Sequence, residues 1–287
     1  MPSDSTGSDK KNISRRRFLA TSAVVAPAMM ALSANPQTSS KATEENGKVA
    51  VVTGSSRGIG AAIAKRLAQD GYKVTVNCVK NTELAAGVVR DIERAGGQAI
   101  WRQADVSDAR AVASLFEANE KEFGGVDVVV SNAGIMRLAP FAKMTDEDFN
   151  RMIDVNIKGS FHVLREAARR VSDGGRILTL SSSITQLRSP TYGPYAASKA
   201  AQDMYAGVLA KELGTRRVSV NAIAPGLVNT TLFTDGKTKE EIQGFVQRTP
   251  FGRLGEPEDI ANVVSTLVRG DGGWVTGQVV FVNGGVV

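Results

Sequence analysis

From residue 47 onward, short apolar runs alternate with longer segments of helical periodicity, and few folds accommodate this order. Residues 49–53 (VAVVT) form an almost continuously apolar run, as is typical of strands buried on both faces of a parallel sheet. Residues 58–70 then carry apolar side chains at helical spacing and end at a glycine. Because strands that alternate with helices form right-handed βαβ units, the sequence predicts an α/β fold. We expect a doubly wound, seven-stranded parallel sheet in a three-layer α/β/α Rossmann fold.

The same alternation continues to the end of the chain and predicts one domain over residues 47–287. Ser107 is expected to cap a helix over 107–123, and residues 145–171 are expected to form one long helix. Further strands are predicted at 74–77, 99–103, 126–131, 176–181, 218–224 and 279–282. Further helices are predicted at 82–95 and 194–213.

The N-terminal segment differs in composition from the rest of the chain. Residues 14–19 (SRRRFL) resemble the bacterial twin-arginine export signal, and a small, apolar run over 20–34 follows them. We therefore expect residues 1–34 to be a signal segment and 35–46 a polar linker, which predicts export to the periplasm. The alternatives are a disordered basic tail on a cytoplasmic protein, or a start codon placed too far upstream. No integral membrane span is expected, because a spanning helix needs about 20 apolar residues.

Composition excludes several classes of site. The 287 residues include one cysteine, Cys78, and one histidine, His162, which excludes an intramolecular disulfide and a histidine-rich metal site. We expect no bound metal. The 35 basic and 29 acidic residues give a net charge of +6, and residues 1–34 hold +3 of it, from five Lys or Arg and two Asp. Because the basic side chains are scattered, we expect a solvated surface and no nucleic-acid partner.

The first predicted strand leads directly into residues 53–60 (TGSSRGIG), which open the first helix. Glycines at such a turn let the backbone approach a pyrophosphate, and the helix N-terminus offers free N–H groups to the anion. A glycine-rich turn without a ligand is the alternative, but the position between a first strand and a first helix favours a dinucleotide site. The predicted cofactor contacts in this turn are Gly54, Ser55, Ser56, Arg57, Gly58, Ile59 and Gly60.

The residues after the second predicted strand indicate the type of dinucleotide. NAD-binding sheets usually carry an acidic residue there, which holds the ribose 2′-hydroxyl. Residues 77–81 (NCVKN) contain no carboxylate, whereas Arg57 and Lys80 could face a 2′-phosphate. The sequence therefore favours NADP(H) over NAD(H), with two ordinary surface cations as the alternative.

Tyr195 and Lys199 are four residues apart on a predicted helix and therefore share one face. An ammonium near a phenol favours the phenolate and lowers the phenol pKa, and such a tyrosine can exchange a proton with a substrate oxygen. Residues 181–183 (SSS) end the fifth predicted strand, at the sheet edge where ligands of open α/β folds bind. A surface Tyr–Lys pair of this spacing is common, but its combination with the serines and the nucleotide turn favours an active site.

Together these motifs resemble those of the short-chain dehydrogenase/reductase family, and the resemblance covers residues 47–287. The family motif TGxxxGxG matches residues 53–60, and the NAG motif matches residues 132–134. The C-terminal signature of the family matches residues 253–260 and 276–285. The resemblance implies the Rossmann fold that the alternation of strands and helices also predicts.

The resemblance also implies catalytic roles for four residues. Tyr195 would donate a proton to the carbonyl oxygen, and Ser182, thirteen residues before it, would polarise the carbonyl. Lys199 would hold the nicotinamide ribose and lower the tyrosine pKa, while Asn156 would position a water that relays protons through Lys199. The catalytic residues implied in this way are Asn156, Ser182, Tyr195 and Lys199.

Further cofactor contacts are implied by the same resemblance. Asp105 and Val106 would flank the adenine, and the segment from Pro225 would meet the nicotinamide and its carboxamide. The implied contacts beyond the glycine-rich turn are Lys80, Asp105, Val106, Asn132, Ala133, Gly134, Tyr195, Lys199, Pro225, Gly226, Val228 and Thr230.

The function implied is that of an NADP(H)-dependent oxidoreductase, which interconverts a carbonyl and a secondary alcohol by hydride transfer. The 3-oxoacyl-thioester reductases are the subgroup that the sequence resembles most. The alternatives are a sugar or polyol dehydrogenase of the same family, and a non-catalytic dinucleotide-binding sensor, against which the complete set of four catalytic residues argues. The expected partners are a small-molecule carbonyl or alcohol substrate and further copies of the chain in a homotetramer or homodimer.

Overall fold

The computed structural model describes residues 46–287. The predicted signal segment, residues 1–34, and the predicted linker up to residue 45 lie outside the described residues. Export from the cytoplasm and association into dimers or tetramers both stay predictions.

The described chain forms one seven-stranded sheet in the order β3-β2-β1-β4-β5-β6-β7, and every pairing is parallel. The strand order reverses between β1 and β4, which is the point where open α/β sheets bind ligands. This architecture confirms the predicted fold class. The strands are β1 (Val49–Val52), β2 (Lys73–Cys78), β3 (Ala99–Gln103), β4 (Val128–Ser131), β5 (Arg176–Leu180), β6 (Ser219–Pro225) and β7 (Val279–Val282).

Helices follow the strands and cover both faces of the sheet. Short 3₁₀ turns occupy Phe141–Lys143, Gly214–Arg216 and Gly270–Trp274, and a π-helical segment occupies Ile153–Gly159. The α-helices are α1 (Gly58–Gln69), α2 (Thr82–Arg94), α3 (Ala109–Phe123), α4 (Asp146–Met152), α5 (Ser160–Arg170), α6 (Ile184–Leu187), α7 (Gly193–Glu212), α8 (Thr231–Thr234), α9 (Lys239–Gln247) and α10 (Pro257–Val268).

Two apolar cores lie on opposite faces of the sheet. One contains Ile63 of α1 and Ile260 of α10, and the other contains Phe116 of α3. Neighbouring residues of β1 face different cores, since Val52 packs in the first and Val51 in the second. Burial on both faces explains why the strands are nearly continuous apolar runs, and it leaves their carboxyl ends as the edge on which a site can form.

Two details of the predicted helices are wrong. The residue that caps α3 is Asp108, whose carboxylate accepts a hydrogen bond from the Arg110 N–H at 2.8 Å, whereas the Ser107 hydroxyl is 2.7 Å from the Asp105 carboxylate. The predicted long helix over 145–171 is interrupted by the π-helical segment Ile153–Gly159. A π segment adds one residue per turn, which the apolar periodicity of the sequence does not reveal.

Within residues 46–287, no helix is long and apolar enough to cross a membrane. The same part of the chain holds no group of three or more His, Cys, Asp or Glu side chains placed to bind a metal ion.

Candidate active site

A cleft of about 470 Å³ opens at the carboxyl ends of β1, β4, β5 and β6. It lies at the reversal of strand order, because the segments that line it follow these four strands. The predicted site residues that line the cleft are Ile59, Asn132, Gly134, Ser182, Tyr195, Lys199, Pro225, Gly226, Val228 and Thr230. The predicted residues that do not line it are Gly54, Ser55, Ser56, Arg57, Gly58, Gly60, Lys80, Asp105, Val106, Ala133 and Asn156.

The glycine-rich turn is packed so closely that two of its glycines, Gly54 and Gly60, leave no room for a Cβ. Gly54 has a φ of +61°, and a Cβ there would lie 2.8 Å from the Cα of Ala133. A Cβ on Gly60 would lie 2.5 Å from the side-chain nitrogen of Asn132. Helix α1 begins at Gly58, and its first N–H groups have no partner within the helix. At its glycines the backbone of this turn can be approached closely, and the turn ends at a helix N-terminus. Such a turn fits a pyrophosphate, so these residues fit a dinucleotide.

Asn77, in strand β2, fixes the position of this turn by a side-chain hydrogen bond. It is 1% exposed, and its Oδ1 accepts a hydrogen bond from the Gly54 N–H at 3.0 Å. Its Nδ2 faces three backbone carbonyls and is 3.4 Å from that of Cys78, 3.3 Å from that of Arg102 and 3.1 Å from that of Ala104. The Asn77 amide therefore links the turn to the ends of β2 and β3. This role was not predicted from the sequence. The only signal was a polar residue inside an apolar strand.

The NAG motif, residues 132–134, follows β4 and hydrogen-bonds the start of the same turn. The Asn132 amide donates to the backbone carbonyls of Thr53 and Gly54 at 2.9 and 3.0 Å. The Thr53 hydroxyl accepts hydrogen bonds from the N–H groups of Asn132 and Ala133 at 3.0 and 3.1 Å. These contacts show that Asn132 and Ala133 shape the turn through backbone bonds.

The four predicted contacts for the adenine end of the cofactor differ in their surroundings. Arg57 and Lys80 are exposed and follow β1 and β2, so both lie at the carboxyl edge of neighbouring strands. The Asp105 carboxylate is bound by Ser107 and by Arg151, at 3.2 Å, whereas Val106 is 1% exposed and its side chain lies in the core. Local hydrogen bonds and the core thus hold these two side chains, and the contact of Asp105 and Val106 with the adenine stays a prediction.

The structure separates the three serines that follow β5. The Ser181 hydroxyl donates to the backbone carbonyl of Lys199 at 3.3 Å, and the Ser183 hydroxyl donates to that of Ala224 at 3.1 Å. The Ser182 hydroxyl accepts a hydrogen bond from the Ile184 N–H at 3.3 Å and lies beside the Tyr195 phenol, whose pKa it lowers. Only Ser182 of the three therefore has its hydroxyl beside the phenol in the cleft.

Tyr195, in the first turns of α7, is 8% exposed, and its phenol stands at the inner end of the cleft. Burial raises the pKa of this phenol to about 12, and the hydrogen bond from Ser182 only partly opposes the rise. The net shift is upward, against the expected lowering, because desolvation of the phenolate outweighs the effects that lower the pKa. At neutral pH Tyr195 therefore carries its proton, as a proton donor must.

Lys199 is buried beside Tyr195, with its ammonium 5.8 Å from the centre of the tyrosine ring. Its Nζ donates to the backbone carbonyl of Leu180 at 2.6 Å. Burial lowers the pKa of Lys199 to about 8, and the negative charge of Asp203 opposes the shift. The lysine is therefore cationic at neutral pH and close to its titration point.

Asn156 lies in the π-helical segment and is fully buried. Its Oδ1 accepts from the Ile135 N–H and its Nδ2 donates to the Ile135 carbonyl, both at 2.9 Å. Its Nδ2 also donates to the Ser198 hydroxyl at 3.0 Å, and its backbone carbonyl accepts from Gln202 at 3.1 Å. Asn156 therefore joins the segment after β4 to helix α7, and both N–H donors of its side chain are used in doing so.

We expect that replacing Lys199 with methionine stabilises the fold while it removes activity. The pKa of Lys199 in the folded protein, about 8, lies below the ordinary value of a lysine, 10.5. Both states therefore carry the charge well below pH 8, and burial of that charge in the folded state lowers stability most there. After allowance for the lost bond to Leu180, the gain at pH 7 should be about 1–3 kcal/mol.

The sign of this effect can be checked with pH. Between pH 8 and 10.5 the unfolded lysine binds more protons than the folded one, so the stability of the wild type rises with pH in that window. The gain from Lys199→Met should therefore shrink by about 1–2 kcal/mol at pH 9.5, measured by denaturant unfolding. An equal gain at both pH values would contradict a buried, charged lysine.

The outer part of the cleft is apolar. Its walls after β6 and around α6 carry aliphatic and aromatic side chains, with few groups that could hydrogen-bond a substrate. Tyr192 joins them, with its ring centre 6.3 Å from that of Tyr195. The apolar and aromatic residues in this part are Met136, Leu187, Tyr192, Leu227, Leu232, Phe233, Phe245 and Val286. A reacting carbonyl at Tyr195 would therefore extend an apolar body toward α8 and α9.

Comparison with known proteins identifies the family. The family model described as enoyl-(acyl carrier protein) reductase matches residues 54–287. An uncharacterized oxidoreductase of Methylorubrum extorquens is 45% identical over 242 residues, which cover 84% of this chain and 98% of that protein. A protein of Arabidopsis thaliana named as NADPH-dependent aldehyde reductase-like is 43% identical over 255 residues, 84% of this chain and 94% of its own length.

A solved structure agrees with these sequence matches. The crystal structure of a short-chain dehydrogenase from Burkholderia cenocepacia, in complex with NADP, has a TM-score of 0.79 and 37% sequence identity. The alignment covers 84% of this chain and 98% of that structure. The chain therefore belongs to the short-chain dehydrogenase/reductase family of oxidoreductases.

Proposed function

We propose that the protein is an NADP(H)-dependent reductase that converts a carbonyl into a secondary alcohol, and that it can run the reverse oxidation. The observation that carries this proposal is the arrangement of Ser182, Tyr195 and Lys199 at the carboxyl edge of the sheet. A protonated phenol, a serine hydroxyl and a buried ammonium line the same cleft. The glycine-rich turn that fits a dinucleotide lies at the same edge.

The proposed mechanism divides the work between the cofactor and the chain. When bound, NADPH supplies the hydride that reduces the carbonyl carbon. Tyr195 donates its proton to the carbonyl oxygen, and the Ser182 hydroxyl hydrogen-bonds the same oxygen and orients it. Lys199 places a positive charge beside the phenol as it becomes phenolate, which favours proton release in the transition state. Asn156 keeps helix α7 in place against the segment after β4.

The proposed choice of NADP(H) is supported by two kinds of observation. NADP is present in the Burkholderia structure, and the Arabidopsis relative is named as NADPH-dependent. In this chain, Arg57 and Lys80 are exposed at the edge where the adenosine ribose would lie, and residues 77–81 contain no carboxylate to repel a phosphate. Two cations are therefore available to a 2′-phosphate.

Replacing both cations should test the choice of cofactor. We expect Arg57→Gln/Lys80→Gln to lower kcat/KM for NADPH by about 10- to 100-fold, because two charge-assisted hydrogen bonds are lost. The value for NADH should stay within about threefold. The control is Arg90→Gln/Lys121→Gln, which removes the same charge from exposed positions outside the cleft. Equal losses with NADPH and NADH would contradict the assignment.

We propose a ketone with an apolar body as the substrate. The walls of the outer cleft support this, because they offer aromatic and aliphatic contacts and no carboxylate among the described residues. A sugar or polyol would need more hydrogen-bonding groups than these walls provide. A 3-oxoacyl thioester is a second candidate, because the matching family model is described as an enoyl-(acyl carrier protein) reductase and the two substrates share an acyl thioester.

A direct assay separates the enzyme from a dinucleotide sensor. The purified protein with NADPH and a panel of aliphatic ketones, aromatic ketones and 3-oxoacyl thioesters should oxidise NADPH with at least one of them. NADPH binding without oxidation by any member of the panel would favour the sensor. A substrate preference within the panel would distinguish the two substrate candidates.

A further inference from the structure

We propose that Arg248 binds an anionic group of the substrate, so that the preferred substrates are apolar or aromatic ketones that carry a carboxylate. The inference rests on the reductase function proposed above, and it concerns the part of the substrate that is remote from the reacting carbonyl.

Arg248 lies directly after helix α9 (Lys239–Gln247) and lines the outer cleft. Its guanidinium carbon is 4.6 Å from the centre of the Phe245 ring, which lines the same cleft. Tyr192 faces it: burial raises the pKa of the Tyr192 phenol, and the positive charge of Arg248 opposes that rise. Tyr192 in turn neighbours Tyr195. An aromatic and apolar path therefore leads from the proton donor to the guanidinium.

The charged side chains that line the cleft in the described chain are all positive. No Asp or Glu side chain lines it among the described residues, and its two cations are Lys199 and Arg248. Lys199 already donates to the Leu180 carbonyl at the inner end. For Arg248 no carboxylate lies within 4.0 Å among the described side chains, although 14 such pairs form elsewhere. Arg248 is thus a positive charge at an apolar cleft with no internal counter-ion.

The contact with Phe245 leaves the guanidinium able to bind a ligand. A guanidinium can pack its flat face on an aromatic ring while its N–H groups, which point outward in the guanidinium plane, stay free to donate. Those donors match the two oxygens of a carboxylate, which makes a bidentate pair possible. The packing also limits the positions of the side chain, so less conformational entropy is lost when an anion binds.

A neighbouring cation shows the contrast and provides a matched control. Lys237 also packs over an aromatic ring of the cleft, 4.7 Å from the centre of Phe233. Its ammonium, however, donates to the backbone carbonyl of Phe233, and its side chain does not line the cleft. The same type of cation–ring contact therefore occurs twice on this segment, but only Arg248 presents its charge to the cleft.

The test uses the full chain with NADPH and three ketones that place a carboxylate at increasing distance from the carbonyl. These are 4-acetylbenzoate, 4-acetylphenylacetate and 6-acetyl-2-naphthoate, each compared with its neutral methyl ester. For at least one pair, we expect kcat/KM to be about tenfold higher for the carboxylate, the lower end of the range for charge-assisted hydrogen bonds. The preference should fall as ionic strength rises.

Variants assign the preference to one side chain. Arg248→Gln should abolish the preference for the carboxylate over its ester and leave kcat/KM for the esters within about threefold of the wild type. Arg248→Lys should keep part of this preference because the charge remains. Lys237→Gln should keep all of it. Ligand affinity provides a measurement that does not depend on turnover. By calorimetry on the complex with NADP⁺, Arg248→Gln should weaken the binding of 2-naphthoate about tenfold and leave the binding of 2-naphthamide unchanged.

The outcomes separate this inference from the proposed function. Reduction of the esters, with no carboxylate preference or with a preference that survives Arg248→Gln, would overturn the role of Arg248 and leave the reductase intact. Binding of 2-naphthoate that depends on Arg248, with no ketone reduced, would support the anion site and count against the reductase.

Discussion

Replacing Tyr195 with phenylalanine is expected to lower kcat about a thousandfold or more while the affinity for NADPH changes by less than about threefold. The phenol carries its proton at neutral pH because burial raises its pKa to about 12. It lines the cleft beside Ser182 and Lys199. General acid catalysis contributes about 10²- to 10⁴-fold, and the variant loses all of it. The phenyl ring keeps the packing, so the fold and the cofactor site should be retained.

The matched control is Tyr205→Phe. Tyr205 lies on the same helix, α7, and packs against the core on one face of the sheet, away from the cleft. It undergoes the same chemical change, so an effect on kcat at Tyr195 alone assigns the loss to the position of the phenol. Steady-state kinetics give kcat, and NADPH fluorescence titration gives the affinity. More than a tenth of wild-type activity in Tyr195→Phe would contradict the proposed proton donor.

Replacing Asn77 with aspartate is expected to lower the free energy of unfolding by about 3 kcal/mol or more and to weaken NADPH binding at least about tenfold. The Asn77 amide nitrogen faces three backbone carbonyls at 3.1 to 3.4 Å in a fully buried position. A carboxylate there would point negative oxygen at three carbonyl oxygens, away from water, with no compensating donor. Because the same side chain holds the Gly54 N–H, the nucleotide turn should loosen with the fold.

The control for this substitution is Asn81→Asp. Asn81 is exposed at the N-terminus of α2, where its side chain makes no capping hydrogen bond and a negative charge is favourable. Its free energy of unfolding should stay within about 0.5 kcal/mol of the wild type. It is a control for stability alone, since a carboxylate in residues 77–81 would repel the 2′-phosphate of NADPH. Denaturant unfolding measures the stability, and calorimetry with NADPH measures the affinity. Wild-type stability in Asn77→Asp would show that the amide does not hold the turn.

Much of this architecture could be predicted from sequence, because the relevant information is local. The strand 49–53, the glycine-rich turn and the following helix are consecutive, so apolar periodicity and glycine spacing were enough to predict them. The pairing of Tyr195 with Lys199 follows from helical spacing alone. For Ser182, the resemblance to the family selected one of three identical neighbours, and the structure places that hydroxyl beside Tyr195.

The features that were missed depend on contacts between distant segments. Asn77 acts on Gly54, 23 residues away, and no local pattern reveals that its amide faces three carbonyls. The direction of the Tyr195 pKa shift was wrong because burial depends on how α7 packs onto the sheet. No local pattern reveals that Arg151, 46 residues later in the chain, binds the Asp105 carboxylate. Arg248 could not be placed in the cleft without the position of α9.

Transfer of deuterium from NADPH that carries deuterium at both C4 positions of the nicotinamide is the most direct test of the proposed reaction. The purified protein, the labelled cofactor and a reducible aryl ketone are incubated, and the alcohol is analysed by mass spectrometry and NMR. We expect one deuterium on the carbinol carbon for each NADPH consumed, and loss of this product in Tyr195→Phe. NADPH that binds but transfers no deuterium to any ketone of the panel would contradict this expectation.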